Sequence, residues 1–265
     1  VVGGWGKIVE VVSRFQHTFM RSEHGKVYAA GCNTFGQLGL EHKDDVSTFT
    51  EVAGGWGKIV EVVCGWNHTF MRTECGKWYA AGWNDGGQLG LGHEDDVSTF
   101  TEVKGCWGKI VTVECGWGHT FMRSEHGKWY AAGRNDFGQL GLGHKNNVST
   151  FTEVAGGWGK IVAVECGGYH TFMRSEHGKW YATGGNGNGQ LGLGHEDNVS
   201  TFTEVKGGWG KIVAVVCGGY HTFMRSEHGK WYAAGRNYEG QLGLWHRDKV
   251  CTFTEIKYDS RNIAN

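Results

Sequence analysis

Apolar and polar positions alternate along this chain in short runs. Lys160-Ile-Val-Ala-Val-Glu165 is β-branched and stops at Cys166-Gly-Gly, and His170-Thr-Phe-Met-Arg174 follows. A polar Ser-Glu-His-Gly turn leads to Lys179-Trp-Tyr-Ala-Thr183, then a glycine-rich loop, then Ser200-Thr-Phe-Thr-Glu-Val205. Runs of this length, rich in β-branched and aromatic residues and bounded by turn residues, predict four short strands in an up-and-down meander. No stretch of about ten residues or more carries helical periodicity.

The pattern is repeated. Gly25, Gly76, Gly127, Gly178 and Gly229 stand 51 residues apart, as do His17, His68, His119, His170 and His221. Gln37, Gln88, Gln139, Gln190 and Gln241 keep the same step, as do Trp5, Trp56, Trp107, Trp158 and Trp209, with no insertion in any unit. A period near 50 residues with four strands per unit is the pattern of propeller blades. The chain therefore reads as all-β, a closed five-bladed β-propeller of four-stranded antiparallel blades forming a single domain over 1–265. The blades run approximately over 1–52, 53–103, 104–154, 155–205 and 206–256, with the C-terminal tail 257–265 as a latch. Closure is expected because an open solenoid needs end units with polar outer faces, whereas the first and last units keep the apolar strands of the middle three.

Composition narrows the function. With 26 basic and 27 acidic side chains the chain is nearly neutral, so neither nucleic acid nor an acidic membrane is an expected partner. No apolar run approaches the roughly 18–20 residues that span a bilayer, and no secretory apolar segment opens the sequence. The 47 glycines and the absence of proline fit many tight turns between strands.

The pattern C-G-x-x-H-T followed by G-K-[VW]-Y-A-x-G-x-N-x-x-G-Q-L-G-L-G occurs at Cys64–Gly92, Cys115–Gly143 and Cys166–Gly194. Units one and five depart slightly: Ser13-Arg14 replaces Cys-Gly, and Glu41 and Trp245 replace the last glycine. This pattern resembles the repeat of the regulator of chromosome condensation family, over nearly the whole chain. The resemblance implies a β-propeller, normally of seven blades, that serves as an interaction platform. Its founding member exchanges nucleotide on the small GTPase Ran and docks on nucleosomes. That exchange activity implies a protruding β-wedge, for which five uniform 51-residue units leave no room, and the chromatin contacts imply a basic tail, which this chain lacks.

Several residues invite a chemical reading. Cys64/His68, Cys115/His119, Cys166/His170 and Cys217/His221 have a spacing compatible with metal pairs. A zinc site needs about four converging ligands, whereas each blade supplies its own pair, and Ser13 replaces the thiol in unit one. The pairs are read as structural repeat residues, with an ion held by several blades as the alternative; no metal or other cofactor is expected. His24, His126, His177 and His228 lie on polar turns beside carboxylates such as Glu176 and lack the partner that general base catalysis needs. The glycine run Gly189-Gln-Leu-Gly-Leu-Gly194 lacks the lysine and helix of a phosphate loop. Cys32, Cys75, Cys106 and Cys251 each appear in a single copy without a pairing register, which fits free thiols in a reducing, intracellular compartment, cytoplasmic or nuclear. Asn147-Val-Ser and Asn198-Val-Ser match glycosylation acceptors, but their siblings read Asp-Val-Ser, which marks drift.

Comparison among the five copies is the functional handle. The RSEHGK turn and the GGWGK connection repeat almost without change and share one face of the disc by up-and-down connectivity. The other two connections vary and carry Phe15, Trp66, Trp83, Trp117, Arg134, Phe137, Tyr169, Tyr220, Arg236 and Tyr238. Aromatic residues and arginine are enriched at interface hot spots, although loops also tolerate change without function. The expected function is a non-enzymatic scaffold for an asymmetric protein partner docking on the variable face. The alternative is a multivalent binder of glycans or small ligands with five equivalent sites on the symmetric face, as in tachylectin-like lectins. Nucleotide exchange on a Ran-like GTPase is the second alternative. No isolated nucleophile and base in a pocket suggests an enzyme.

Overall fold

The strands form where the alternation places them. The computed structural model describes residues 4–257, and the chain divides into two units, Val1–Asp136 with Asn146–Gly156, and Phe137–Lys145 with Gly157–Asn265. Unit one holds three antiparallel sheets. The first comprises β1 (Ile8–Arg14), β2 (His17–Ser22), β3 (Val27–Gly31) and β4 (Val46–Glu51); the second β5 (Ile59–Cys64), β6 (His68–Thr73), β7 (Trp78–Gly82) and β8 (Val97–Glu102). The third comprises β9 (Ile110–Cys115), β10 (His119–Ser124), β11 (Trp129–Gly133) and β12 (Val148–Glu153).

Unit two holds two sheets. One comprises β13 (Ile161–Cys166), β14 (His170–Ser175), β15 (Trp180–Gly184) and β16 (Val199–Glu204); the other β17 (Ile212–Cys217), β18 (His221–Ser226), β19 (Trp231–Gly235) and β20 (Val250–Glu255). Each sheet is a blade whose strands follow chain order, so the five four-stranded antiparallel blades expected from the repeat are present. Among the described residues there is no helix, and hence none long and apolar enough to cross a membrane.

The inner strand of every blade carries a register shift near its start, between Ile59 and Glu61 in the second blade and between Ile212 and Ala214 in the fifth. Such bulges increase the twist of a strand pair. Within each unit the twisted sheets pack face to face, and the cores lie between blades. Phe70, Trp78, Ala80 and Leu89 of the second blade pack on Ile110, Val113, Met122 and Phe151 of the third, and in unit two the equivalent residues join the fourth blade to the fifth. Trp78 Nε1 donates to the Ile110 carbonyl at 3.2 Å, and Trp180 Nε1 to the Ile212 carbonyl at 3.2 Å. Gly90 has φ +67°, and a Cβ there would lie 2.2 Å from the Phe151 ring of the next blade. Only glycine fits both the backbone and the contact.

The first and last blades differ from the rest. Val11 is 63% exposed, while its counterparts Val62 and Val113 are 4% and 3% exposed. Trp231 is 38% exposed against 5% for Trp78 and 6% for Trp180. The tail expected to act as a latch lies outside the described residues beyond Lys257.

Up-and-down order fixes which segments share an end of a blade. The β1–β2 and β3–β4 connections and their equivalents emerge at one end, the loop end. The β2–β3 turn and the link to the next blade emerge at the other, the turn end.

Candidate functional site

The Cys-Gly-x-x-His run is a joint between blades. His68 Nε2 stands 3.0 Å from Thr120 Oγ1, His17 Nε2 3.1 Å from Thr69 Oγ1, and His170 Nε2 2.8 Å from Thr222 Oγ1. The Thr69 hydroxyl donates to the Gln37 carbonyl at 2.9 Å and the Thr222 hydroxyl to the Gln190 carbonyl at 2.8 Å. Having given its one proton, each hydroxyl accepts from the ring, which requires the Nε2–H tautomer of a neutral imidazole. Burial agrees, lowering the pKa of His17 to about 4 and those of His68 and His119 to about 3. The Cys64 thiol, enclosed at the end of β5, is pushed up to about 12 by burial, and burial also raises that of Cys115. A Cβ on Gly65 would lie 2.2 Å from the His68 ring, so the motif needs glycine beside its histidine. Among the described residues no three His, Cys, Asp or Glu side chains converge as metal ligands. The groups that looked reactive make packing contacts and hydrogen bonds between blades.

At the loop end the G-x-N-x-x-G-Q-L-G segment braces itself. Asn84 Oδ1 accepts from Leu89 N at 2.9 Å, its Nδ2 donates to the His93 carbonyl at 2.9 Å, and Gln88 Oε1 accepts from Gly86 N at 3.0 Å. Asp96 Oδ1 accepts from Asn84 N at 3.0 Å. Asn147 and Asn198 do the same for Asn135 and Asn186 at 2.9 and 2.8 Å, so the two glycosylation-like asparagines serve as loop braces. Rigid loops hold the variable side chains in place.

Those side chains gather into one group in each unit. In unit one Phe15 stacks on Trp66 with ring centroids 4.3 Å apart and planes at 15°, and Trp66 meets Trp117 edge-on at 3.9 Å and 73°. Close by, the Arg134 guanidinium lies 5.3 Å over the Trp83 ring, and Gly118 leaves both side chains room. In unit two Phe137 meets Tyr169 at 5.3 Å, Tyr169 meets Tyr220 at 5.3 Å, and Arg236 sits 5.9 Å from the Tyr220 ring and 5.6 Å from that of Tyr238. Phe15, Phe137 and Tyr238 are exposed and the other seven candidates half-buried. Aromatic and cation–π pairs of this kind preorganise large side chains that keep a free edge. Sequence reasoning missed Phe35, which lies 5.8 Å from Trp83; it occupies the repeat position of Phe137, and that equivalence was the available signal.

The family model for the regulator of chromosome condensation (RCC1) repeat matches residues 24–71, 76–122, 126–173 and 177–224. The chain belongs to the RCC1-repeat family. Among curated relatives, the ultraviolet-B receptor UVR8 of Arabidopsis thaliana is 32% identical over 252 residues, covering 90% of this chain and 55% of the receptor. The X-linked retinitis pigmentosa GTPase regulator of Canis lupus familiaris is 38% identical, covering 86% of this chain and 28% of the regulator. The chain thus spans about half, or less, of the length of these relatives. Among solved structures, human WBSCR16 superposes with a TM-score of 0.80 at 21% identity, covering 95% of this chain and 67% of that one. Prp20p from Saccharomyces cerevisiae gives a TM-score of 0.59 at 18% identity, covering 96% and 78%. These structural likenesses support the propeller fold.

The turn end of this RCC1-repeat chain is less uniform than its sequence suggests. In unit one Lys77, Trp78, Glu102, Lys104, Trp107 and Lys109 line a cavity of about 260 Å³ between the second and third blades. Unit two has its counterpart of about 260 Å³ around Lys179, Glu204, Lys206 and Lys211. Glu102 pairs with Lys77 at 3.0 Å and reaches Lys104 at 3.9 Å, which leaves the cavity wall net positive. At the junction of the first and second blades Ala53 and Val27 stand where Lys104 and Trp78 stand in the next. Five equivalent sites are therefore not what these residues build. The turn histidines His24, His126, His177 and His228 are exposed and lie 3.8–4.0 Å from the glutamate on the same turn.

Proposed function

We propose that the chain is a non-enzymatic scaffold that binds a protein partner through the loop end of its blades. The observation that carries this reading is the pair of aromatic and arginine groups on braced loops, Phe15–Trp66–Trp117 with Trp83–Arg134, and Tyr169–Tyr220 with Arg236. Such groups lose little conformational entropy on binding and offer broad faces and edges, which is the anatomy of hot spots. They also differ from copy to copy where the opposite end repeats, as an asymmetric partner requires. Within the family, the structural study of Prp20p concerns its binding to Gsp1p and histones, and yeast RCC1 has been solved bound to Kap60, so protein binding is a use to which this fold is put. None of the eight cysteines forms a disulfide, which supports an intracellular setting.

The test compares affinity capture by the chain, by W66A/W117A/R134A, and by a control variant K77A/K104A/K109A altered at the opposite end. Proteins captured by the chain and the control but lost from the loop-end variant, with at least about a tenfold fall in affinity for the purified partner, are expected. Equal capture by all three overturns the reading.

The lysine-lined cavities favour a second reading, a small anionic ligand such as an acidic glycan held against tryptophan at the turn end. Calorimetry with acidic and neutral glycans would show saturable binding of the acidic ones alone, with the number of sites halved by the control variant above, which alters the unit-one cavity and leaves its unit-two counterpart intact. No heat with either class would sink this reading and leave the first untouched.

A further inference from the structure

We infer that the anionic ligand of the turn-end cavities is an acidic oligosaccharide, which runs from each cavity past a tryptophan into a second cavity at the outer rim of the blades. The inference rests on the second reading above and extends it. In unit one the outer cavity has a volume of about 510 Å³ and is lined from both outer strands, by Thr101 of β8 and Thr150 of β12. It shares Glu102, Lys104, Gly105 and Trp107 with the lysine-lined cavity of about 260 Å³. One wall therefore serves both, and a ligand of two or more sugar rings can occupy the pair where a single ring fills one.

The two cavities differ in chemistry. The inner one sets Lys77, Lys104 and Lys109 against Glu102 alone, and so takes the carboxylate. In the outer one Lys104 is balanced by Glu102, and the remaining polar side chains are neutral. The Thr101 hydroxyl donates to the Thr99 carbonyl at 3.2 Å and keeps its lone pairs for a ligand donor. His93 Nδ1 accepts from Asp95 N at 3.2 Å, which leaves Nε2 of the neutral ring as a donor. One donor and one acceptor side by side suit the hydroxyls of a neutral sugar. Between the cavities stands Trp107, half-buried, whose Nε1 already donates to the Phe151 carbonyl at 3.3 Å. What it has left for a ligand is apolar ring, on which the C–H face of a sugar packs.

An extended acidic peptide fits less well. It would add to the edge of an outer strand through its backbone, but at this cavity the edge of β12 is taken. Leu91 bridges Thr150, and Gly92 N donates to the Ser149 carbonyl at 2.8 Å. Unit two repeats the arrangement: Leu193 bridges Thr252, Gly194 N donates to the Cys251 carbonyl at 2.8 Å, and His195 Nδ1 accepts from Asp197 N at 3.2 Å. With Lys206 and Trp209 lining its own inner cavity, each unit offers one such site.

Calorimetry on the full chain tests this with four probes: glucuronic acid, a hyaluronan tetrasaccharide, the neutral tetramer of N-acetylglucosamine, and tetraglutamate. The hyaluronan tetrasaccharide should bind at least about tenfold more tightly than glucuronic acid, and the neutral tetramer and tetraglutamate far more weakly than either. T101A/T150A/T203A/T252A, which removes two exposed hydroxyls from the outer half in each unit, should lower affinity for the tetrasaccharide about tenfold. Equal binding of glucuronic acid and the tetrasaccharide, or a variant that binds the tetrasaccharide as the chain does, overturns the extension and leaves the second reading standing. Tetraglutamate as tight as the tetrasaccharide overturns the glycan in favour of an acidic peptide, and a neutral tetramer as tight overturns the role of the lysines. No heat with either acidic sugar overturns the extension and the second reading together.

Discussion

His68 and Thr120 join the second and third blades through one buried contact, imidazole Nε2 to hydroxyl Oγ1 at 3.0 Å. Burial holds His68 near a pKa of about 3 and His17 near about 4, against an ordinary 6.5. The unfolded chain therefore binds protons below about pH 6.5 that the folded chain refuses. Stability should be full above that value and fall as the pH drops towards 4, by roughly 1.4 kcal/mol per pH unit for each such histidine. Urea denaturation midpoints taken between about pH 7 and pH 5 should decline steeply; a flat profile would show that these rings are not held neutral.

Thr69 is a relay, accepting from His17 and donating to the Gln37 carbonyl. Thr69→Val keeps the shape and leaves both partners buried and unpaired, at a cost of about 1–3 kcal/mol for each group. Thr18→Val makes the same change at a half-exposed position of the first blade and should cost less than about 0.5 kcal/mol. Denaturant midpoints of the two variants at low protein concentration should separate clearly.

The joints and strands were legible because copying exposes them: residues that recur every 51 positions are those the blade needs, and turn glycines punctuate the strands. Burial was not legible. Ile8-Val-Glu-Val-Val12 and Ile59-Val-Glu-Val-Val63 are the same five residues, yet Val11 is exposed and Val62 buried. Val62 packs into the core shared by the first and second blades, and no feature of the segment itself records that contact. At the candidate site, divergence among copies pointed to the ten loop-end residues, but not to their division into two groups. That division depends on which rings reach across one repeat to stack, as Phe15 reaches Trp66.

Thiol reactivity should follow position in the blade. Cys75 is exposed on a turn, and hydrogen bonds from the Thr73 hydroxyl and from backbone near Lys77 lower its pKa. Cys64 and Cys115 are enclosed, and burial raises theirs. Because the thiolate is the reacting form, iodoacetamide at neutral pH should modify Cys75 first and leave Cys64 and Cys115 intact until the chain unfolds. Peptide mass mapping over a time course reads the order, and early labelling of Cys64 would contradict the joint described for it.

One substitution made at two repeat positions separates backbone strain from packing. Gly90 and Gly243 both hold positive φ, +67° and +65°, but a Cβ on Gly90 meets the Phe151 ring at 2.2 Å while one on Gly243 meets nothing. Gly243→Ala should cost only the left-handed backbone strain of about 1–2 kcal/mol. Gly90→Ala adds overpacking against an aromatic ring, typically about 1–3 kcal/mol more. Chemical denaturation of both variants should therefore rank Gly90→Ala as the more destabilised. Equal losses would mean that the ring moves aside freely and that the blades are looser than their interlocked side chains indicate.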